Sequence, residues 1–191
     1  WKAVIKKINK QNIIAEVLEK ISNSVIEPNI SLLFSPIKNL NSESIIRQST
    51  ELGIKNIYPT FFQRTVIKKI NMNKFSSYSI GAAQQCGRMS IPTLDSYQKL
   101  DQRLDLLSKC HVLMFDENLQ GKPIQKIDSS IADKKTEIIV IIGPEGGFEE
   151  KERQMIIKNS RNFQNVSLGP RILKADTAVI AALSLTFHYF S

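Results

Sequence analysis

The chain of 191 residues is long enough for one full α/β domain with a buried core plus a smaller piece. Lys and Arg total 26 against 18 acidic residues, and the formal charge of +8 suits a polyanionic partner, although an ordinary solvated lysine surface gives the same balance. No apolar run approaches the roughly 18 residues of a membrane span, no signal-peptide pattern opens the sequence, and Cys86 and Cys110 supply neither a disulfide framework nor a metal-ligand spacing. These features point to a cytoplasmic protein with reduced thiols, no membrane and no metal. Trp1 is not an initiator, so the sequence is expected to start inside a longer protein.

In chain order, residues 3–5 and 13–18 flank the polar turn Asn9-Lys10-Gln11-Asn12 and predict a hairpin. Residues 22–29, with Pro28, read as a linker. Residues 30–34 predict a buried strand ended by Ser35-Pro36. Asn41 or Ser42 can cap the next helix, which carries Ile45, Ile46 and Leu52 on one side and stops at Gly53. Residues 54–62 predict a strand and 71–85 a helix that contains Gly81. Residues 94–109 predict a helix, with Leu100, Leu104 and Leu107 at helical spacing, and 111–115 a strand. A polar loop over 120–135 precedes 137–142, a near-continuous apolar strand of the kind covered on both faces of a parallel sheet. Residues 149–159 predict a helix, 163–168 a short strand and 177–190 a final helix. Strand and helix alternate throughout, which argues for a parallel α/β sheet. His111 and His188 have no partners for a triad, and Cys86 reads as a small buried residue rather than a nucleophile.

Two Gly-Pro turns, Gly143-Pro144 and Gly169-Pro170, each follow an apolar segment and precede a helix. This layout places two backbone-rich loops at one end of neighbouring parallel strands, where open α/β sheets bind ligands. Gly146 and Gly147 can adopt positive φ and let a ligand approach the main chain; a tight turn without a ligand is the alternative for either loop alone. The loops lack both GxGxxG and the P-loop lysine, so nicotinamide and nucleoside-triphosphate readings are poor.

Ile142-Gly143-Pro144-Glu145-Gly146-Gly147-Phe148 followed by Leu168-Gly169-Pro170-Arg171-Ile172-Leu173 resembles the signature of the RsmE family. Gln48-Ser49-Thr50-Glu51-Leu52-Gly53 and Gln84-Gln85-Cys86-Gly87-Arg88 match further stations in the same order, and the resemblance covers about residues 30–190. It implies a SPOUT-type α/β domain over 30–191, with a parallel sheet and a C-terminal trefoil knot, a rare exception to the rule against threaded connections. Residues 1–24 would be a remnant of an N-terminal PUA-like β-barrel. The implied activity is methylation of N3 of a uridine in 16S rRNA of the 30S subunit, by a homodimer using S-adenosylmethionine (SAM).

By the same resemblance, SAM is held by Leu113, Ile142, Gly143, Pro144, Glu145, Gly146, Gly147, Leu168, Gly169, Ile172, Leu173, Thr177 and Ala178. Arg171 is the candidate catalytic residue. Uracil N3 becomes nucleophilic as its proton leaves, and a guanidinium beside a uracil carbonyl would stabilise the charge that spreads onto oxygen. A surface arginine or phosphate clamp is the alternative for Arg171. Arg47, Arg64, Arg88 and Lys174 are the candidate RNA contacts; Arg88 reads equally as a helix C-terminal cation, and Glu51 as an exposed helix carboxylate. The family usually has Arg-Thr-Glu where this chain has Lys174-Ala175-Asp176. That departure leaves room for an RNA-binding or ribosome-assembly module of the same fold, and a SPOUT enzyme acting on another RNA is a third possibility.

Overall fold

The computed structural model describes residues 1–21, 23, 26–38, 40–117, 121–128 and 135–190. Positions 22, 24 and 25 of the expected linker, and 120 and 129–134 of the expected polar loop, lie outside the described residues, as does the side chain of Asn41.

The expected hairpin is present. Strands β1 (Lys2–Ile8) and β2 (Ile13–Glu19) pair antiparallel, and Asn9 N donates to Asn12 O across the turn. Every residue of both strands is exposed, including Ile5, Ile8, Ile13 and Val17.

The rest of the chain is organised on one sheet. Its elements are β3 (Ile30–Phe34), α1 (Leu40–Glu51), β4 (Asn56–Phe61), α2 (Met72–Cys86), β5 (Thr93–Leu94), β6 (Gln98–Lys99), α3 (Leu104–Leu107), β7 (His111–Phe115), β8 (Ile138–Ile142), α4 (Glu150–Asn159), β9 (Asn162–Asn165) and α5 (Ala175–Phe190). The strands lie in the order β5, β4, β3, β8, β7, β9, with β6 beside the end of β4, and every pair is parallel. β3, β7 and β8 are buried at every residue, as continuous apolar strands require when helices cover both faces. Alternate residues divide between two cores. Leu32, Phe34, Leu113 and Val140 pack with Ile45, Ile46, Phe75, Val179 and Leu183 of α1, α2 and α5. On the opposite face, Leu33, Val112, Met114, Ile139 and Ile141 pack with Leu107 and Ile156 of α3 and α4.

Helix ends follow local chemistry. Asn71 Oδ1 accepts from Lys74 N and Gly87 closes α2 at φ 73°, so the helix survives Gly81, which faces open space. α1 is followed by Gly53 at φ 94°. Ser42 is not its cap: the hydroxyl donates to Ile37 O and accepts from Ile37 N, bracing the turn before the helix. The helix expected over 94–109 is not there. That stretch holds β6, a 3-10 turn at Leu100–Arg103 and the short α3. Arg103 is buried, pairs with Asp95 and donates to Ser96 O, pulling the chain into a compact corner that helical spacing of leucines did not reveal.

After β9 the chain runs beside an earlier segment. Ser167 N donates to Lys122 O, Lys122 N donates to Asn165 O, and Tyr189 of α5 donates to Ile127 O. Ile124 and Ile127 pack into the same core as Val179 and Leu183. These contacts hold 121–127 against the path from β9 into α5.

Candidate functional site

The C-terminal ends of β7, β8 and β9 open onto one cleft. The two Gly-Pro loops follow β8 and β9, which are not neighbours: β7 lies between them. The floor therefore also includes the end of β7, and Phe115, Asp116 and Glu117 line the cleft with Ile142, Gly143, Pro144 and Glu145 of the first loop. Val166, Leu168, Arg171, Ile172 and Leu173 form the second wall, and Ala175 and Ala178 close the site from the first turns of α5.

The glycines have separate duties. Gly147 is at φ 71°, its N–H closing the turn onto Pro144 O at 2.8 Å. A Cβ on Gly147 would sit inside the Glu117 carboxylate, 1.7 Å from Oε1. A Cβ on Gly143 would lie 2.7 Å from the ring of Phe148, which is buried and packs edge-on against Phe62 with ring centroids 5.2 Å apart. Gly146 does not use positive φ; it is exposed, and its carbonyl accepts from Arg64 Nη1 at 2.8 Å. The second loop turns at Gly169, φ 105°.

Two neighbouring acids at the end of β7 are treated differently. Asp116 is buried and gripped by Arg153 of α4 through Nε at 2.5 Å and Nη2 at 3.2 Å. The Asp116 contact, more than its neighbours Glu117 and Glu150, holds the Arg153 guanidinium protonated beyond its ordinary range. Glu117 is partly exposed, and burial, then the adjacent Asp116, raises its carboxyl above the ordinary value. Glu152 joins the first loop to its neighbour: Oε2 accepts from Glu149 N at 2.9 Å and Oε1 from Gln63 N at 2.7 Å. That bond fixes the 62–65 turn against α4 and sets Arg64 over Gly146.

Of the residues expected at the site, Ile142, Gly143, Pro144, Glu145, Leu168, Arg171, Ile172, Leu173 and Ala178 line the cleft. Arg171 is exposed on its rim with no hydrogen bond or ion pair to the described residues. Gly147 shapes the first loop without lining the cleft, and Gly169 shapes the second. Leu113 is in the middle of β7, fully buried in the core, and is a packing residue rather than a ligand contact. Thr177 is exposed in the first turn of α5 and Lys174 just before it, both off the cleft lining. Phe115, Asp116 and Glu117 escaped sequence reasoning because the strand order, with β7 between the two loops, places them there, and Val166 and Ala175 join them from the end of β9 and the start of α5.

Arg88 stands far from this arrangement. Its side chain is 7% exposed and bonded to Glu27 at 2.8 Å, Thr50 O at 2.8 Å and Ile54 O at 2.7 Å. Those partners lie at the N-terminal side of β4, opposite the cleft, so Arg88 is a buried clamp and not an RNA contact. Cys86 is exposed rather than buried, and Glu51 is an exposed helix carboxylate. Arg47 is exposed on α1, away from the lining.

The cleft suits a ligand with a flat apolar part and a cationic part. Ile142, Leu168, Ile172 and Leu173 supply apolar walls, and Glu117 and Glu145 supply carboxylates, that of Glu117 seated where a Cβ at Gly147 would otherwise be. SAM, with an adenine and a sulfonium, fits those residues. Among the described residues no three His, Cys, Asp or Glu side chains gather to hold a metal, and no helix is long and apolar enough to cross a membrane.

Fold and cleft together define an RNA methyltransferase domain of the SPOUT class, and the chain matches the RNA methyltransferase domain family over residues 25–186. The chain belongs to the family of ribosomal RNA small subunit methyltransferase E. The protein of that name from Rickettsia conorii is 29% identical over 185 residues, covering 95% of this chain and 73% of its own. The one from Mesomycoplasma hyopneumoniae is 31% identical over 180 residues, covering 89% and 74%. Among solved structures, ribosomal RNA small subunit methyltransferase E from Neisseria gonorrhoeae, bound to S-adenosyl methionine, superposes with a TM-score of 0.82 at 26% identity, covering 98% of this chain and 78% of that one. A SpoU methyltransferase from Streptomyces viridochromogenes, at TM-score 0.56 and 16% identity over 92% of this chain and 64% of its own, shares the fold alone.

Proposed function

We propose that this chain is a SAM-dependent methyltransferase that methylates N3 of a uridine in 16S rRNA, acting in the cytoplasm as a homodimer. The observation that carries the reading is Arg171, a guanidinium without a partner among the described residues, on the rim of a cleft whose two loops and acidic floor suit SAM. SAM supplies an electrophilic methyl on a sulfonium. The chain supplies orientation and charge. Glu117 and Glu145 would face the positive part of the cofactor and the apolar walls would hold its flat part, while Arg171 would steady the negative charge on a uracil carbonyl as the N3 proton passes to water. The target base has to be unstacked, because N3 lies on its pairing edge. Ile172, 72% exposed beside Arg171, is an apolar residue that a second protomer would cover. The exposed β1–β2 hairpin is read as part of a PUA-like barrel.

Transfer of a labelled methyl group from SAM to 30S particles, with mapping of the modified nucleotide, tests the assignment. Arg171→Ala should keep SAM affinity within a fewfold and lower transfer by about 10²–10³-fold. Full transfer by Arg171→Ala would remove its catalytic role. Ala175, at the head of α5 on the cleft, brings no hydroxyl to a position where the family pattern read in the sequence has Thr, and this departure favours the second reading of an RNA-binding module. SAM binding without any transfer by the unaltered chain would select that reading.

A further inference from the structure

A second concavity lies at the same edge of the sheet, between the turn that follows β3 and the start of α2. Lys38 and Ser42 stand on one side, and Lys69, Asn71, Lys74 and Tyr78 on the other. Lys38, Lys69 and Lys74 are exposed and have no carboxylate partner among the described residues. The groove has one acid among its lining residues, Glu43. The stretch that forms its far wall is one-sided: between Phe61 and Tyr78 the chain has four basic residues, Arg64, Lys68, Lys69 and Lys74, and no acidic one.

The groove is tied to the cleft by a short, fixed piece of chain. The segment from Phe62 to Asn71 starts against the cleft, where Gln63 N bonds Glu152 and Arg64 bonds Gly146 O. Phe62 N donates to Thr65 Oγ1, which also meets Ser35 Oγ at 2.9 Å, so the turn is braced on both sides. The same segment then delivers Lys69 to the groove, and the N-terminal end of α2, positive by its dipole, opens beside it.

Resting on the RNA substrate proposed above, we infer that this groove is a phosphate track for the single strand that flanks the base delivered to the cleft. Lys38, Lys69 and Lys74 neutralise successive phosphates, Asn71 offers a polar contact, and Arg64 bridges track and cleft. Such contacts carry affinity and register without reading sequence. Tyr78, half-buried on the wall, gives a flanking base an aromatic edge.

The test is fluorescence anisotropy with a labelled single-stranded RNA across a salt series, on the full chain and two charge-matched double variants. Lys69→Glu/Lys74→Glu alters the groove, and Lys151→Glu/Lys158→Glu alters exposed lysines of α4 on the other face of the sheet. The groove variant should lose at least tenfold in affinity at low salt, with the log–log salt slope falling by about 1.4, while the α4 variant stays within about twofold. The milder pair Lys69→Gln/Lys74→Gln should move the same way by a smaller step, which guards against a folding defect. Equal losses in groove and α4 variants would show a net-charge effect and overturn the inference. Unchanged binding by the groove variants, or no RNA binding by the unaltered chain, would overturn it too. SAM titration of the same proteins separates the two ideas: groove-dependent RNA binding without SAM binding would sink the methyltransferase reading and leave the track.

Discussion

Gly147 carries two constraints that a single substitution can separate. Its backbone is left-handed, which costs an L-residue about 1–2 kcal/mol, and a Cβ would also collide with Glu117. Gly147→Ala should destabilise the chain by about 2–3 kcal/mol in denaturant titration and weaken SAM binding at least tenfold. Adding Glu117→Ala should recover part of the stability by removing the collision while the backbone strain stays. The two cysteines give a second test at this scale. Burial, then the nearby Glu137 carboxylate, pushes the Cys110 thiol up to about 12, whereas Cys86 is exposed. A maleimide at pH 8 should therefore label one thiol per native chain, at Cys86, and two after denaturation. Rapid labelling of Cys110 in the native chain would contradict its placement. Gly143 and Gly147 were legible as loop glycines in the sequence. Leu113 and Arg88 were not, because burial in the middle of β7 and a clamp on Thr50 and Ile54 depend on tertiary packing.

At the scale of elements, the ends of the strands opposite the cleft are joined by polar groups around Glu137. Its Oε1 accepts from Asn56 Nδ2 at 2.7 Å and Tyr58 OH at 3.0 Å, and from Ser31 Oγ, while Cys110 Sγ lies 3.7 Å from Oε2. This ties together β3, β4, β7 and β8. Burial, then Glu137, raises the Tyr58 hydroxyl as it does the Cys110 thiol. The folded chain thus holds both protons more tightly than the unfolded chain. The stability they contribute is fully present below the ordinary thiol value of 9.0 and is lost as pH rises toward about 12. Glu137→Gln should cost about 1–3 kcal/mol at pH 7 and flatten the alkaline fall, read by urea unfolding across pH. Arg88→Ala should cost about 3 kcal/mol, by leaving Glu27 and two carbonyls without their partner, and should not change the RNA affinity of the folded fraction. Buried apolar strands such as His111–Phe115 and Ile138–Ile142 could be read from the sequence because composition alone marks them. The corner after β5 could not, since Arg103 reaches Asp95 and Ser96 only in the folded chain and overrides the leucine period.

At the scale of the molecule, one parallel sheet places every functional loop at a single edge. The order β3, β8, β7, β9 draws the two Gly-Pro loops together around the end of β7, and the segment 121–127 holds the returning chain in place. Sequence order suggested adjacent loops; the topology instead inserts Phe115, Asp116 and Glu117 between them, giving the cleft its acidic floor. The same edge carries the lysine groove, so the cleft and the proposed RNA track open on one side. The central claim is that this cleft holds SAM, and isothermal titration of the purified chain with SAM addresses it directly. We predict saturable binding at about one SAM per chain, weakened at least tenfold by Gly147→Ala and little changed by Arg171→Ala. Absence of binding by a well-folded chain would contradict the account.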